Sequence, residues 1–265
     1  MFESIKNTEE FKLLSNAVNT NAATTALFGL PSVGRAEMIS AVATELQRCV
    51  IVVTEGEAEA TKMAQDIKFF GGKSAIFPAR DLTLRGVEGQ NREYEYRRLA
   101  VLGDIVGGRV NVLCVPIEGA LLHTVPKTDF CENTLTLKPN MEISIKDLAL
   151  RMLNAGYYHR EQVDGDGQFS IRGGIVDIFA PDMVKPARLE FWGDEIESIT
   201  SFDLLTQRRE ESLKKIYISP AREVLCGDPT QTLQMLTSFA NTLKGDKKNR
   251  FETAIKAETD ALSAD

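Results

Sequence analysis

The sequence predicts an α/β fold: a mostly parallel sheet covered on both faces, interrupted by a small α+β domain. Three observations predict it. Up to about residue 125, continuous apolar runs alternate with amphipathic stretches, as when parallel strands buried on both faces are joined by crossover helices. Beyond His123 the pattern changes to short β-type segments punctuated by glycine-containing turns. The chain has 265 residues, 43% hydrophobic and 26% charged, ordinary values for a soluble globular protein with a proper core.

In chain order, Thr25 to Leu30 (TALFGL) reads as a first buried strand, and Arg35 to Gln47 as the helix after it. Cys49 to Thr54 (CVIVVT) is a second strand and Glu57 to Phe70 a second helix. Lys73 to Pro78, a long helix over Asn91 to Val106, and Val110 to Val115 complete the pattern. Residues 1–123 are thus one α/β domain. Residues 124–213 form the inserted α+β domain, with a strand over Leu135–Lys138, a helix over Ile145–Asn154 and β segments from Tyr157 to Phe202. Gly193-Asp194, between Leu189–Trp192 and Glu195–Ile199, predicts a two-residue hairpin turn. In residues 214–265, Ile216–Leu225 reads as a strand returning the chain to the first domain. Asp228-Pro229 supplies a cap and first turn for a helix, and a charged helix follows Lys244-Gly245-Asp246 and runs to Asp265.

Gly29-Leu30-Pro31-Ser32-Val33-Gly34-Arg35-Ala36 has the spacing of a phosphate loop, G-x-x-x-x-G-K-[ST], between predicted strand and helix. That chemistry needs a lysine reaching the β- and γ-phosphates and a hydroxyl on Mg²⁺. Arg35 and Ala36 stand in those places; arginine is not interchangeable with lysine, and alanine ligates no metal. The expectation is a P-loop-NTPase-like sheet with a degenerate phosphate loop at Gly29, Gly34, Arg35 and Ala36. Such a loop supports no efficient hydrolysis.

Other chemistry is thin. A formal charge of −7 argues against gripping nucleic-acid phosphates as the main task. Cys49, Cys114, Cys131 and Cys226 lack metal-ligand spacing, and Cys49 and Cys114 lie in apolar runs that predict buried free thiols. His123 and His159 have no triad or ligand partners in sequence, so no catalytic residue and no metal are expected. Asp194-Glu195-Ile196-Glu197 follows a hairpin turn, unlike an acidic helicase box. No leader or membrane-length apolar run is visible, so a cytoplasmic location without membrane is expected.

Residues 156–206 concentrate aromatic residues, including the single tryptophan, Trp192. Arg172 precedes Gly173-Gly174, and with His159 and Arg160 it predicts a basic patch beside Tyr158 and Phe169, a composition favoured in protein interfaces. The equally weighted alternative is that the arginines pair with Asp177 or Glu190 across strands. GQFSIRGGIVDIFAP, followed by ARLEFWGDEIESITSFDLLTQR, resembles the signature of the transcription-repair coupling factors. It is similar, more distantly, to the matching insert of the excision-repair helicase UvrB.

The likeness extends more weakly over the whole chain. It favours the coupling factors because the phosphate loop is degenerate and Pro78 to Glu95 is too short for the DNA-clamping hairpin of UvrB. The resemblance implies a non-catalytic UvrB-like module that recruits UvrA in transcription-coupled excision repair. It places Arg172 on one of the docking arginines, Ser170 where UvrB has another, and His159, or Arg160 one residue later, on a third. ATP, Mg²⁺, RNA polymerase and DNA would belong to other parts of the full-length protein. The docking face could be covered by a C-terminal domain of that protein. The rival readings are an active P-loop ATPase or helicase fragment, and direct nucleic-acid binding through Arg92, Arg97 and Arg98 or the cluster from Arg208 to Lys215.

Overall fold

The structure, a computed structural model, describes residues 3–20, 24–79, 92–225 and 229–262. It divides into two compact units, Met1–Glu223 and Val224–Asp265.

The first unit opens with α1 (Glu3–Lys6) and α2 (Glu9–Asn19), the latter capped by Thr8, whose Oγ1 accepts from the Phe11 amide. Then come α3 (Ser32–Glu45), β1 (Val50–Thr54), α4 (Glu57–Phe69), β2 (Ser74–Ile76), α5 (Glu93–Val106) and β3 (Val112–Pro116). The strands form a parallel sheet in the order β1-β3-β2, with Val50 opposite Val112 and Ser74 opposite the same residue. Ala36 and Ala43 of α3 and Ala60, Met63 and Ile67 of α4 pack on one face. On the other, α5 lays Val101, Leu102 and Ile105 against Phe77, Leu113 and Val115. All five residues of β3 are buried, as expected of the central strand.

The predicted strand at Thr25–Leu30 does not form. Residues 24–31 have no regular structure, and α3 begins at Ser32. Leu27 and Phe28 are 41% and 90% exposed. An apolar run states a demand for burial, but a strand also needs a neighbour to satisfy its backbone. Cys49 is also exposed, against expectation, because it lies in the irregular connection just before β1; Cys114 is buried in β3. Asn91, most of the interval Pro78 to Glu95, Cys226 and Asp228 lie outside the described residues.

After α6 (Ile117–Ala120) and α7 (Lys127–Glu132) comes β4 (Leu135–Leu137). The helix α8 (Ile145–Asn154) is capped by Ser144, whose Oγ accepts from the Asp147 amide at 3.0 Å. The strands β5 (Tyr158–His159), β6 (Gln168–Arg172), β7 (Ile175–Phe179), β8 (Ala187–Trp192), β9 (Glu195–Phe202) and β10 (Arg209–Ser212) form one sheet in the order β10-β9-β8-β7-β6-β5. All pairs are antiparallel except β5 with β6. Gly173 and Gly193 turn at φ +61°, the left-handed region that both tight hairpins require. Leu148 and Met152 of α8 pack with Phe169, Val176, Ile178, Leu189 and Ile199, giving the sheet an apolar face.

The strand β11 (Ile216–Ile218) pairs antiparallel with β4 in a separate two-stranded sheet, rather than joining β1-β3-β2. The return to the first part of the chain comes just after it. Arg98 of α5, fully buried, donates Nε to Glu223 at 2.7 Å and Nη1 to the Pro78 carbonyl at 2.7 Å, and lies 3.9 Å from the Phe77 ring centroid. The Thr124 hydroxyl donates to the same Glu223 oxygen at 2.8 Å.

In the second unit, α9 (Pro229–Thr242) and α10 (Asp246–Leu262) form a helical hairpin turned at Gly245, with Phe239 edge-on to Phe251 at 5.3 Å. Residues 263–265 lie outside the described residues.

Candidate functional site

Alternation along β6 to β9 sends every second side chain away from the α8 core. On that outward face, pairing sets Ser170 opposite Asp177, Arg172 opposite Ile175, Asp177 opposite Arg188 and Arg188 opposite Thr200. Asp177 is fully buried and is the hub of this face. Its Oδ1 accepts from Arg188 Nε at 2.6 Å, and its Oδ2 accepts from Arg188 Nη2 at 2.9 Å and from Arg172 Nη2. This carboxylate holds two arginines of different character. The Arg188 side chain is 11% exposed and stacks at 4.6 Å from the centroid of Phe202, whereas that of Arg172 is 44% exposed. Hydrogen bonding to Asp177 raises the Arg188 pKa further above its usual value.

The same face carries a second charged group. Glu190 accepts from the Ser198 hydroxyl at 2.7 Å and from Arg209 Nη2. Polar side chains thus bridge five adjacent strands, β6 to β10, and the arginine edge beside the Gly173-Gly174 turn is fixed in direction but open to a partner. An arginine whose fork is half committed to a buried carboxylate loses little freedom on forming further bonds.

The anticipated patch divides in two. Arg172 lies at one end of β6, three residues from Phe169, about 10 Å along a strand. At the other end, Tyr158 is ringed by guanidinium groups: Arg222 at 4.8 Å, Arg92 at 5.0 Å and Arg160 at 5.9 Å from its ring centroid. Arg222 also donates Nη2 to the Tyr158 hydroxyl. His159 is exposed and lies 5.1 Å from the ring of Phe169. Phe169 and Ser170 are each 1% exposed, so they support the face rather than contact a partner. Phe169 points into the α8 core because it alternates with Arg172, and Ser170 sits beneath the Arg172–Asp177 bond.

Arg188 was missed by sequence reasoning, although its place between Ala187 and Leu189, both fully buried, signals an outward side chain. Arg222 and Arg92 as companions of Tyr158 carry no sequence signal, since 130 positions separate them in the chain (222 − 92).

The octapeptide around Gly29 passes from irregular structure directly into a helix. Gly29 turns at φ +81°, but Ser32 already starts α3, so Gly34 lies inside the helix and the Arg35 amide donates to the Pro31 carbonyl at 2.9 Å. Arg35 is exposed and Ala36 fully buried. Among the described residues, no group of three or more His, Cys, Asp or Glu side chains could hold a metal ion. No described helix is long and apolar enough to cross a membrane.

Residues 135–224 match the UvrB interaction domain family, a span that holds β4 to β11. Over most of its length the chain is similar to transcription-repair-coupling factors. It is 30% identical to that of Myxococcus xanthus over 88% of this chain and 20% of the relative. It is 27% identical to that of Bacillus subtilis over 92% and 21%, and 26% identical to that of Staphylococcus haemolyticus over 87% and 21%. The chain therefore spans about a fifth of the length of the curated relatives it matches. A UvrB interaction domain is matched over residues 135–224, and about nine-tenths of the chain is similar to transcription-repair-coupling factors.

Proposed function

We propose that the chain is a non-catalytic docking module that recruits UvrA during transcription-coupled nucleotide excision repair, using the outward face of β6 to β9. The observation that carries this reading is Arg172, aimed by the buried Asp177 yet 44% exposed, inside the span matched to the UvrB interaction domain. A buried carboxylate that orients an exposed arginine is the preorganisation an interface anchor needs. The lack of catalysis is supported by Arg35 and Ala36, which stand where a phosphate loop carries lysine and a hydroxyl residue. No cofactor is required for this role. Engagement of RNA polymerase and DNA, with the ATP and Mg²⁺ of a motor, is assigned to other parts of a longer protein, as is a C-terminal domain covering the docking face at rest.

Calorimetric titration with UvrA tests the reading. Arg172→Ala should weaken binding by about 2 kcal/mol, roughly 30-fold, as for an interface hot spot. Equal binding by both proteins would remove Arg172 from the interface, and no binding by the folded wild-type chain would refute the docking role. The chain should also turn over no ATP with Mg²⁺ and DNA; robust turnover abolished by Arg35→Ala would overturn the non-catalytic reading.

A further inference from the structure

The arginines around Tyr158 come from separate parts of the chain. Arg160 and Arg222 lie within the matched span 135–224, but Arg92, at the start of α5, lies outside it. Among the described residues none of the three forms an ion pair with a carboxylate. Arg92 Nη1 and Arg222 Nε are buried and reach no described acceptor. Buried N–H groups without acceptors are costly, and three like charges about one ring repel, so an anion entering here relieves both. The nearby acids do not play that part. One Glu95 oxygen accepts from the Glu223 amide at 2.9 Å, and neither Glu95 nor Asp166 forms an ion pair with any of the three.

We propose that Arg92, Arg160 and Arg222 form around Tyr158 a receptor for a carboxylate side chain of the docked protein, so that the N-terminal α/β part contributes directly to the docking surface. This rests on the docking role proposed above. Tyr158 pairs with Gln168 of β6, so the receptor is continuous with the sheet that carries Arg172. The ring holds the guanidinium groups through its π face and leaves their N–H edges to hydrogen-bond. A protein carboxylate fits better than a nucleic-acid backbone. The next arginines of α5 are engaged, Arg97 with Glu57 at 3.9 Å and Arg98 with Glu223, so no basic stripe continues along the helix for successive phosphates. The net charge of −7 also disfavours a polyanion over a single acidic residue.

The test is titration of the full 265-residue chain with UvrA at two salt concentrations, together with thermal melts. Arg92→Ala should weaken binding about tenfold and flatten its salt dependence, while Arg92→Lys loses less. Arg160→Ala, at an exposed position, carries the same expectation and serves if substitution at 92 lowers the melting temperature. If both alanine variants stay folded and bind UvrA like the wild type, the receptor is wrong while the docking role stands. A loss confined to affinity for a single-stranded oligonucleotide would also overturn it, in favour of a phosphate site. Failure of the wild type itself to bind would instead remove the docking role on which the receptor depends.

Discussion

Asp177→Ala tests the architecture of the docking face. Asp177 is fully buried and receives three hydrogen bonds from two arginines. Arg188, with its side chain 11% exposed, would be left as a nearly buried charge, a loss of about 3 kcal/mol at the low end for broken buried pairs. The low end applies because the Gln207 carbonyl still accepts from Arg188 Nη1 at 3.2 Å. Arg172, 44% exposed, is rescued by water and adds less than about 1 kcal/mol. The expected total of about 3–4 kcal/mol corresponds to a fall of roughly 10 °C in melting temperature for a unit of this size. Thermal melts followed by circular dichroism should rank the variants Asp177→Ala, then Arg188→Ala, then Arg172→Ala. The double variant Asp177→Ala with Arg188→Ala should cost less than the sum of its parts. UvrA affinity should also fall in Asp177→Ala as far as in Arg172→Ala, although Asp177 touches no partner. A cost under about 1 kcal/mol for Asp177→Ala, or Arg172→Ala costing as much, would refute the hub.

Three further outcomes follow from other parts of the molecule. Arg98→Ala strands the buried Glu223 carboxylate and should cost about 3–5 kcal/mol in urea denaturation, and replacing both residues by apolar ones should recover much of it. Burial pushes the Cys114 thiol up to about 11, so brief treatment with a thiol reagent near pH 8 should label the exposed Cys49 and Cys131 and spare Cys114, read by mass spectrometry. Burial also raises the Asp182 carboxyl above its ordinary 3.8, outweighing the Ser219 hydrogen bond and the charge of Arg109. A raised folded-state pKa gives stability that is present below 3.8 and lost as pH rises through the folded value. The stability of the wild type relative to Asp182→Asn should therefore decline with rising pH across that window, and a flat or rising difference in urea midpoints would contradict the assignment.

Much of the fold was legible because local chemistry and tertiary demand agree. Ser144 caps a helix found over the predicted residues, and Gly193-Asp194 turns the hairpin between β8 and β9. The buried β3 reads as a buried strand because it is one. Thr25–Leu30 failed because periodicity reports what a segment wants to bury, and nothing in it tells whether a neighbouring strand is available. The partner of β11 was not legible for a related reason: IYI fits any sheet edge, and pairing with Leu135–Leu137 is a nonlocal choice. At the site, Arg172 and its pairing with Asp177 could be read from adjacent strands joined by a tight turn. The split of the basic residues into two groups could not, since it depends on β6 running between them and on arginines at 92 and 222 converging on Tyr158.

The strand β10 has a consequence for life in a crowded solution. A sheet edge is a row of unpaired backbone groups that will add any passing strand. Here all four residues, Arg-Glu-Glu-Ser, are exposed, and the pairing with β9 shifts register between Arg209 and Ser212. Lys185 reaches Glu210 at 2.7 Å and Arg209 reaches Glu190, so this rim is ionic on both sides. A second copy approaching edge-on meets charge and a broken hydrogen-bond ladder, which blocks fibre growth there without disturbing Arg172, four strands away on β6.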